Sequence, residues 1–291
     1  MADDTPLWTL VAYPVALGAF VLATAAFDGG GPLPRLARLL VGQRRRTLLP
    51  DVLLMRTGAI SLLTAAVLAG AVLPLGEVAL LDLDVGVVWF NAMEVCAWGA
   101  LWLTGWSANS VYPLVGGYRF VAQGLAYELP HMFALITVAV GAGSLRVADV
   151  VQAQQGLWFV VWMPVAFVVY LVSALAMAFW GPMSQPLGPD IAGGVTAELA
   201  GADRLVFQAG RYALLVVAAG AAVPLFLGGG AGPLLPAWGW VVVKTAAVLG
   251  ALLWARHRFP AIRMDRFMQA SWVVLIPLVL VQLLVVSIVV M

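Results

Sequence analysis

Apolar stretches long enough to cross a lipid bilayer follow one another along nearly the whole chain, and they leave few folds open. A helix needs roughly 17 to 25 apolar residues to cross about 30 Å of hydrocarbon. Eight such spans can be drawn, at 7–27, 57–76, 85–105, 129–145, 157–180, 212–229, 235–255 and 271–290. Inside a bilayer each backbone N–H and C=O must find its partner within the protein, so repeated spans of this length predict a bundle of helices. Of 291 residues 63% are hydrophobic and 10% charged, and mean hydropathy is +1.01, which excludes an ordinary soluble domain. The expected fold class is all-α: one polytopic membrane domain over 1–291, with no internal repeat and no soluble domain. Pro14, Pro74, Pro164 and Pro224 fall inside or at the ends of spans, where neighbouring helices are expected to satisfy the freed backbone groups.

The opening MADDTP lacks the basic segment of a secretory signal, so the first span reads as retained. Orientation follows from the basic residues, because Lys and Arg gather on the cytoplasmic side. The first loop holds Arg35, Arg38, Arg44, Arg45, Arg46 and Arg56. The third holds Arg119, the fifth Arg204 and Arg211, and the seventh Arg256, Arg258, Arg263 and Arg266. Only Arg146 falls in an even loop, and Lys244 lies within a span, so thirteen of the 15 basic residues sit in odd loops. Odd loops are therefore expected in the cytoplasm, with both termini outside. A single cysteine, Cys96, gives the chain no disulfide framework, no iron-sulfur cluster and no cysteine zinc site of its own. Redox chemistry falls to a partner, and no metal site is expected.

Against this background the stretch GWSANSVYPLVGGYRFVAQGLAYELPH, from Gly105 to His131, is conspicuously polar. Pro113 suits the first position of a helix, and Arg119, Gln123 and Tyr127 then share one face. Gly116, Gly117 and Gly124 would permit close helix packing. Glu128 and His131, three apart, stand on an adjoining face at the mouth of the fourth span. Two readings stay open: a polar strip leading into the membrane, or an interfacial helix whose polar groups meet water and headgroups.

The fifth loop, about 181–211, is long for a bundle connection, and loops of that length are functional or disordered. Asp190 and Glu198 stand eight apart in it, but its Gly and Pro content argues against one continuous helix. Glu94, with Asn91 a turn before it, lies inside the third span, and Lys244 near the centre of the seventh. A charge at that depth costs at least about 2.5 to 3.5 kcal/mol, so it pairs or marks a proton or ion path. The alternatives are a buried structural pair or a snorkelling lysine.

The polar stretch resembles the signature of the H subunit of bacterial NADH-quinone oxidoreductase (complex I), which is subunit 1 in mitochondria. Gly105, Trp106, Ser107, Asn109, Ser110, Tyr112, Gly116, Arg119, Ala122, Gln123, Tyr127 and Glu128 match it in order. The stretch VVVKTAAVLGALLWARHRFPAIRMDRFMQASW is similar to a second family segment through Lys244, Trp254, Arg256, Pro260, Arg263, Asp265, Met268 and Trp272. Eight spans with both termini outside is also that family's topology. The family's first loop normally has a glycine-proline-asparagine element followed by an amphipathic helix; this loop lacks that element and keeps only its basic character. Pro186 and Gly188 stand where the family has glutamates, and Val111 where it has lysine.

The resemblance implies an inner-membrane subunit that walls part of a quinone cavity and begins a chain of buried charges leading to antiporter-like membrane subunits. It would be a translocase subunit without catalytic residues of its own. Quinone would be the substrate at a shared site, and electrons would come from iron-sulfur clusters in peripheral partner subunits. Glu94, Glu128, Asp190, Glu198 and Lys244 would relay protons or charge. Arg119, Gln123, Tyr127, Arg256, Arg263 and Asp265 would shape the quinone cavity and the face on which the peripheral arm docks. Partners are thus other subunits, quinone and lipid, with no nucleic acid. The alternatives are the membrane anchor of a membrane-bound hydrogenase or formate hydrogenlyase, a structural paralogue without transport, and a free-standing transporter, which would usually show repeated halves.

Overall fold

The computed structural model describes residues 8–28, 32–42 and 47–290, apart from the side chains of Pro32, Leu33 and Arg35. Arg44, Arg45 and Arg46 lie outside the described residues. The described residues form helices joined by turns, with a lone bridge between Leu75 and Val78 as the only strand-like pairing among them. The helices are α1 Thr9–Phe27, α2 Pro32–Val41, α3 Val52–Gly70, α4 Gly86–Ser107, α5 Val111–Ala142, α6 Val147–Ala153, α7 Phe159–Trp162, α8 Pro164–Met177, α9 Gly201–Phe226, α10 Ala237–Arg258, α11 Met264–Ala270 and α12 Ile276–Val290. A π turn over Ser271–Leu275 joins α11 to α12 in one rod.

Among the described residues seven stretches are long and apolar enough to cross a membrane: α1, α3, α4, α5, α9, α10 and the rod Met264–Val290. The fifth expected span, 157–180, is instead broken. Pro164 has no N–H, so α7 stops at Trp162 and α8 restarts on the proline. The last helix repairs the break with one side chain. The Gln282 amide donates to the Trp162 carbonyl at 3.0 Å and accepts from the Ala166 N–H at 3.0 Å. A second proline, Pro130, sits inside α5 and leaves the Ala126 carbonyl without its helical donor, and the Ser271 hydroxyl of the π turn donates to it.

Other spans shift from the positions that hydropathy gave. The second runs Val52–Gly70 rather than 57–76, capped by the Asp51 carboxylate on the Leu54 N–H at 3.0 Å, and Pro74 lies beyond it. Arg56 is therefore helical, and so are Arg204 and Arg211 on α9. The polar stretch and the fourth span are a single 32-residue helix, α5, starting at Val111, so that Pro113 sits in its first turn rather than opening it. Apolar windows find only the greasy middle of each helix. The helices run on wherever their polar residues have partners, as Arg56 has in Asp203 at 3.6 Å.

The odd loops meet at one end of the bundle. Thr47 donates to the Ala108 carbonyl, Ser110 to Glu198 and Gln185 to the Ile262 carbonyl. The even loops meet at the other, where Val87 N–H bonds the Leu145 carbonyl, Arg146 pairs with Asp82, and Gln154 bonds both the Pro224 carbonyl and the Gly228 N–H. We refer to these as the basic and the opposite end. The first loop also departs from expectation, since α2 is an amphipathic helix packed against α1 and α9. Leu36 and Leu39, three apart and partly buried, share one face in a segment that the arginine count marks only as basic.

Candidate functional site

The centre of the bundle holds a cluster of ionisable side chains built by α4, α5 and α8. Glu94 on α4 is fully buried, as is His131 on α5, and His131 Nε2 stands 2.9 Å from Glu94 Oε2. Glu128, three residues before His131 on the same helix, accepts from the Asn91 amide at 3.2 Å. Trp98 Nε1 donates to the Tyr127 hydroxyl at 2.9 Å, and Tyr127 lies within electrostatic reach of both Glu94 and Glu128. The His131 ring packs between Phe90 and Tyr170, with centroids 6.2 and 5.3 Å away. Tyr170 is itself fixed by donating to the Ala218 carbonyl at 2.7 Å.

Small residues make this closeness possible. A side chain at Gly124 would run into the Trp98 ring, and one at Gly116 into the Pro186 carbonyl and the Val195 N–H of the fifth loop. The polar strip is interior, not interfacial. Gln123, 1% exposed, donates to the carbonyls of Ala176 at 2.6 Å and Met183 at 3.0 Å. From Arg119 to Tyr127 the strip climbs about 12 Å into the bundle, at about 1.5 Å per residue.

At the basic end the fifth loop folds as three short 3₁₀ turns, Gln185–Leu187, Pro189–Ile191 and Gly194–Thr196. Arg119 grips Asp190 through two hydrogen bonds of 3.1 and 2.6 Å and bonds the Gln185 carbonyl at 3.3 Å. The guanidinium holds the Asp190 carboxyl below the usual carboxylate range. Glu198 accepts from Ser110 at 3.1 Å. Among the described residues no hydrogen bond or ion pair joins Asp190 or Glu198 to the central cluster.

Lys244 is not paired with Glu94. It reaches out of α10 towards the opposite end and donates to the carbonyls of Leu227, Gly229 and Ala231 at 2.7, 2.9 and 2.7 Å, beneath the Trp158 ring at 4.1 Å. Lys244 lies about one turn before the middle of its helix, because α10 begins at Ala237 and Lys244 is seven residues in. The six residues expected at a quinone cavity or docking face do not form one cluster. Arg119 and Gln123 bind the fifth loop, and Tyr127 joins the central cluster. Arg256 pairs with Asp28 and packs on Trp180 at 4.8 Å. Arg263 and Asp265 form an exposed pair at 3.2 Å.

Sequence reasoning passed over Asp28, Trp180, Arg211 and Tyr212, which gather around Arg256. Tyr212 donates to Asp28 at 2.6 Å, and Arg211 lies over Trp180 at 4.4 Å while donating to the Phe179 carbonyl. No spacing rule could find this group, since its members come from four separate segments. His131 was nearer to view, a histidine in an apolar run three residues from Glu128.

The fold and its buried charges define a polytopic helical membrane protein with ionisable groups in its interior. The chain belongs to the NADH dehydrogenase family, whose model matches residues 38–287. It is 36% identical over 265 residues to the NADH-quinone oxidoreductase H subunit numbered 2 of Geobacter sulfurreducens, covering 87% of this chain and 80% of that one. The H subunit numbered 1 of Geobacter metallireducens is 37% identical over the same shares, and the H subunit of Syntrophotalea carbinolica 33% identical over 88% of this chain and 82% of its own.

Proposed function

We propose that this chain is the membrane subunit of a complex I-like NADH-quinone oxidoreductase in the bacterial plasma membrane. It joins a peripheral iron-sulfur arm to antiporter-like membrane subunits, helps wall the quinone cavity and starts the proton relay. In this reading α7 and α8 together make an eighth crossing, since they connect the opposite end to the basic end. The basic end faces the cytoplasm and both termini face outward. Quinone is the substrate at a shared site, and the clusters that reduce it belong to partners.

The observation that carries the reading is the buried group of Glu94, Glu128 and His131 inside a bundle of this family. Two carboxylates at that depth cost several kcal/mol to bury and are retained where protons or ions move. Protonation changes there can follow quinone reduction at the basic end, where Arg119, Asp190 and Glu198 tie the fifth loop to α5. Lys244 stands apart in this assignment. Its three donors are committed to carbonyls, which suits a clamp on the loop after α9 better than a relay.

The hydrogenase-anchor reading drew on the degraded first loop and is opposed by the GWSANS signature; α2, packed against α1 and α9, weakens its support, since the loop keeps a helix where it lacks the glycine-proline-asparagine element. The structural-paralogue reading keeps one observation. A side chain at Gly188 would meet the Asp190 carboxylate and crowd Arg119, so a glutamate there would have to displace the Arg119–Asp190 pair. Gentle purification followed by mass spectrometry and iron analysis tests the choice. Copurified iron-sulfur subunits of a quinone reductase support the proposal, a nickel-iron hydrogenase moves the chain to the sister branch, and an isolated chain without iron sinks it.

A further inference from the structure

We propose that His131 is itself a proton-exchanging residue of the relay, trading a proton with Glu94, an inference that rests on the relay role proposed for the two glutamates. Its Nε2 is 2.9 Å from Glu94 Oε2, and both side chains are 0% exposed. The other basic groups near the interior are committed elsewhere, Arg119 to Asp190, Arg256 to Asp28 and Lys244 to three carbonyls. His131 is therefore what compensates Glu94.

A purely structural histidine-carboxylate pair would have its remaining polar atoms satisfied by the protein, as buried polar atoms usually are. Here the described residues offer no well-aligned hydrogen-bond partner to either His131 nitrogen, either Glu94 oxygen or Glu128 Oε2, five buried atoms of one cluster, and Nε2 and Glu94 Oε2 meet only as a 2.9 Å contact. Atoms in that position are served by water or by mobile protons. The surrounding titratable groups are Glu94 from α4, Tyr127 and Glu128 from α5 and Tyr170 from α8. The last helix contributes only Ser271, whose hydroxyl is spent on the Ala126 carbonyl beside Pro130.

The step is a bare proton transfer. With the proton on Nε2 the pair is imidazolium and carboxylate; after transfer it is neutral imidazole and carboxylic acid. Net charge is unchanged, so no uncompensated charge is left in the low dielectric. Nδ1 keeps its own N–H throughout and the free lone pair is on Nε2; once Glu94 has passed its proton on, Nε2 takes the next one and restores the imidazolium.

The test uses the whole complex in membrane vesicles, measuring quinone reduction and the protons moved per quinone reduced. His131→Gln keeps a donor near Glu94 but cannot carry a proton. His131→Lys keeps a cation there in case an uncompensated glutamate blocks folding. Both are expected to assemble and reduce quinone while the protons moved per quinone fall roughly tenfold or more. A wild-type ratio in either variant would overturn the inference and leave the proposed function intact. Failure of both to assemble would also overturn it, marking the pair as structural. A wild-type complex that reduces no quinone at all would overturn the proposed function, and this inference with it.

Discussion

Single residues set the chemistry through what they are bonded to. Lys244 has its three N–H groups on three carbonyls and its charge over Trp158, so Lys244→Met strands those carbonyls at the end of α9. A loss of about 2–4 kcal/mol is expected, seen as a lower melting temperature of the detergent-solubilised complex, with turnover per folded complex unchanged. Asp190 is depressed by Arg119, so its pairing contributes stability above the ordinary carboxylate pKa and loses it as pH falls through the lowered one. Asp190 is more than half exposed, which limits the effect to about 1 kcal/mol or less. The hydrogen-exchange protection of the fifth loop, corrected for the intrinsic pH dependence of amide exchange, should hold steady from pH 8 down to about 4 and fall only below that. In Asp190→Asn the loop should exchange quickly at every pH. A loop that opens near pH 6 in the wild type would contradict this.

Elements are held straight or bent by contacts between helices. The break at Met163–Pro164 survives because one glutamine from α12 supplies both a donor and an acceptor at the gap. Gln282→Leu leaves two backbone groups unpaired in a greasy environment and should cost about 2–4 kcal/mol, whereas Gln282→Glu keeps one of the two bonds and should cost less than Leu. Equal melting temperatures for wild type and Gln282→Leu would show that the gap needs no bridge. Pro130 and Ser271 repeat the device in α5. There it falls between Glu128 and His131, and the freed Ala126 carbonyl is served from a π turn, a form often found at functional sites.

For the whole molecule, the prediction is one of sidedness. The basic end and the opposite end are separated by the full length of the bundle. With Cys96→Ser as background, Arg258→Cys should react with an impermeant thiol reagent only from the cytoplasmic side, and Leu234→Cys, fully exposed at the opposite end, only from outside. Reversed labelling would invert the proposed orientation without touching the fold. The two ends also differ in how they are built. The basic end is held by side chains of Arg119, Gln123, Gln185 and Ser110 reaching into loops, the opposite end mostly by carbonyls collected by Gln154 and Lys244.

Hydropathy alone determined that the chain is a helical membrane bundle, because a bilayer leaves an apolar run few other ways to satisfy its backbone. The same patterning singled out Glu94, Glu128 and the strip Arg119, Gln123 and Tyr127, since polar groups among aliphatic ones need partners. It could not show that Glu94 meets His131, that Lys244 turns away from both, or that Asp28 and Arg256 pair across the bundle. Those are encounters between helices, and a residue's place along its own helix fixes its face but not the neighbour that face will meet. The tertiary structure decided them, through glycines that let α4 and α5 close up and prolines that made other helices supply the missing hydrogen bonds.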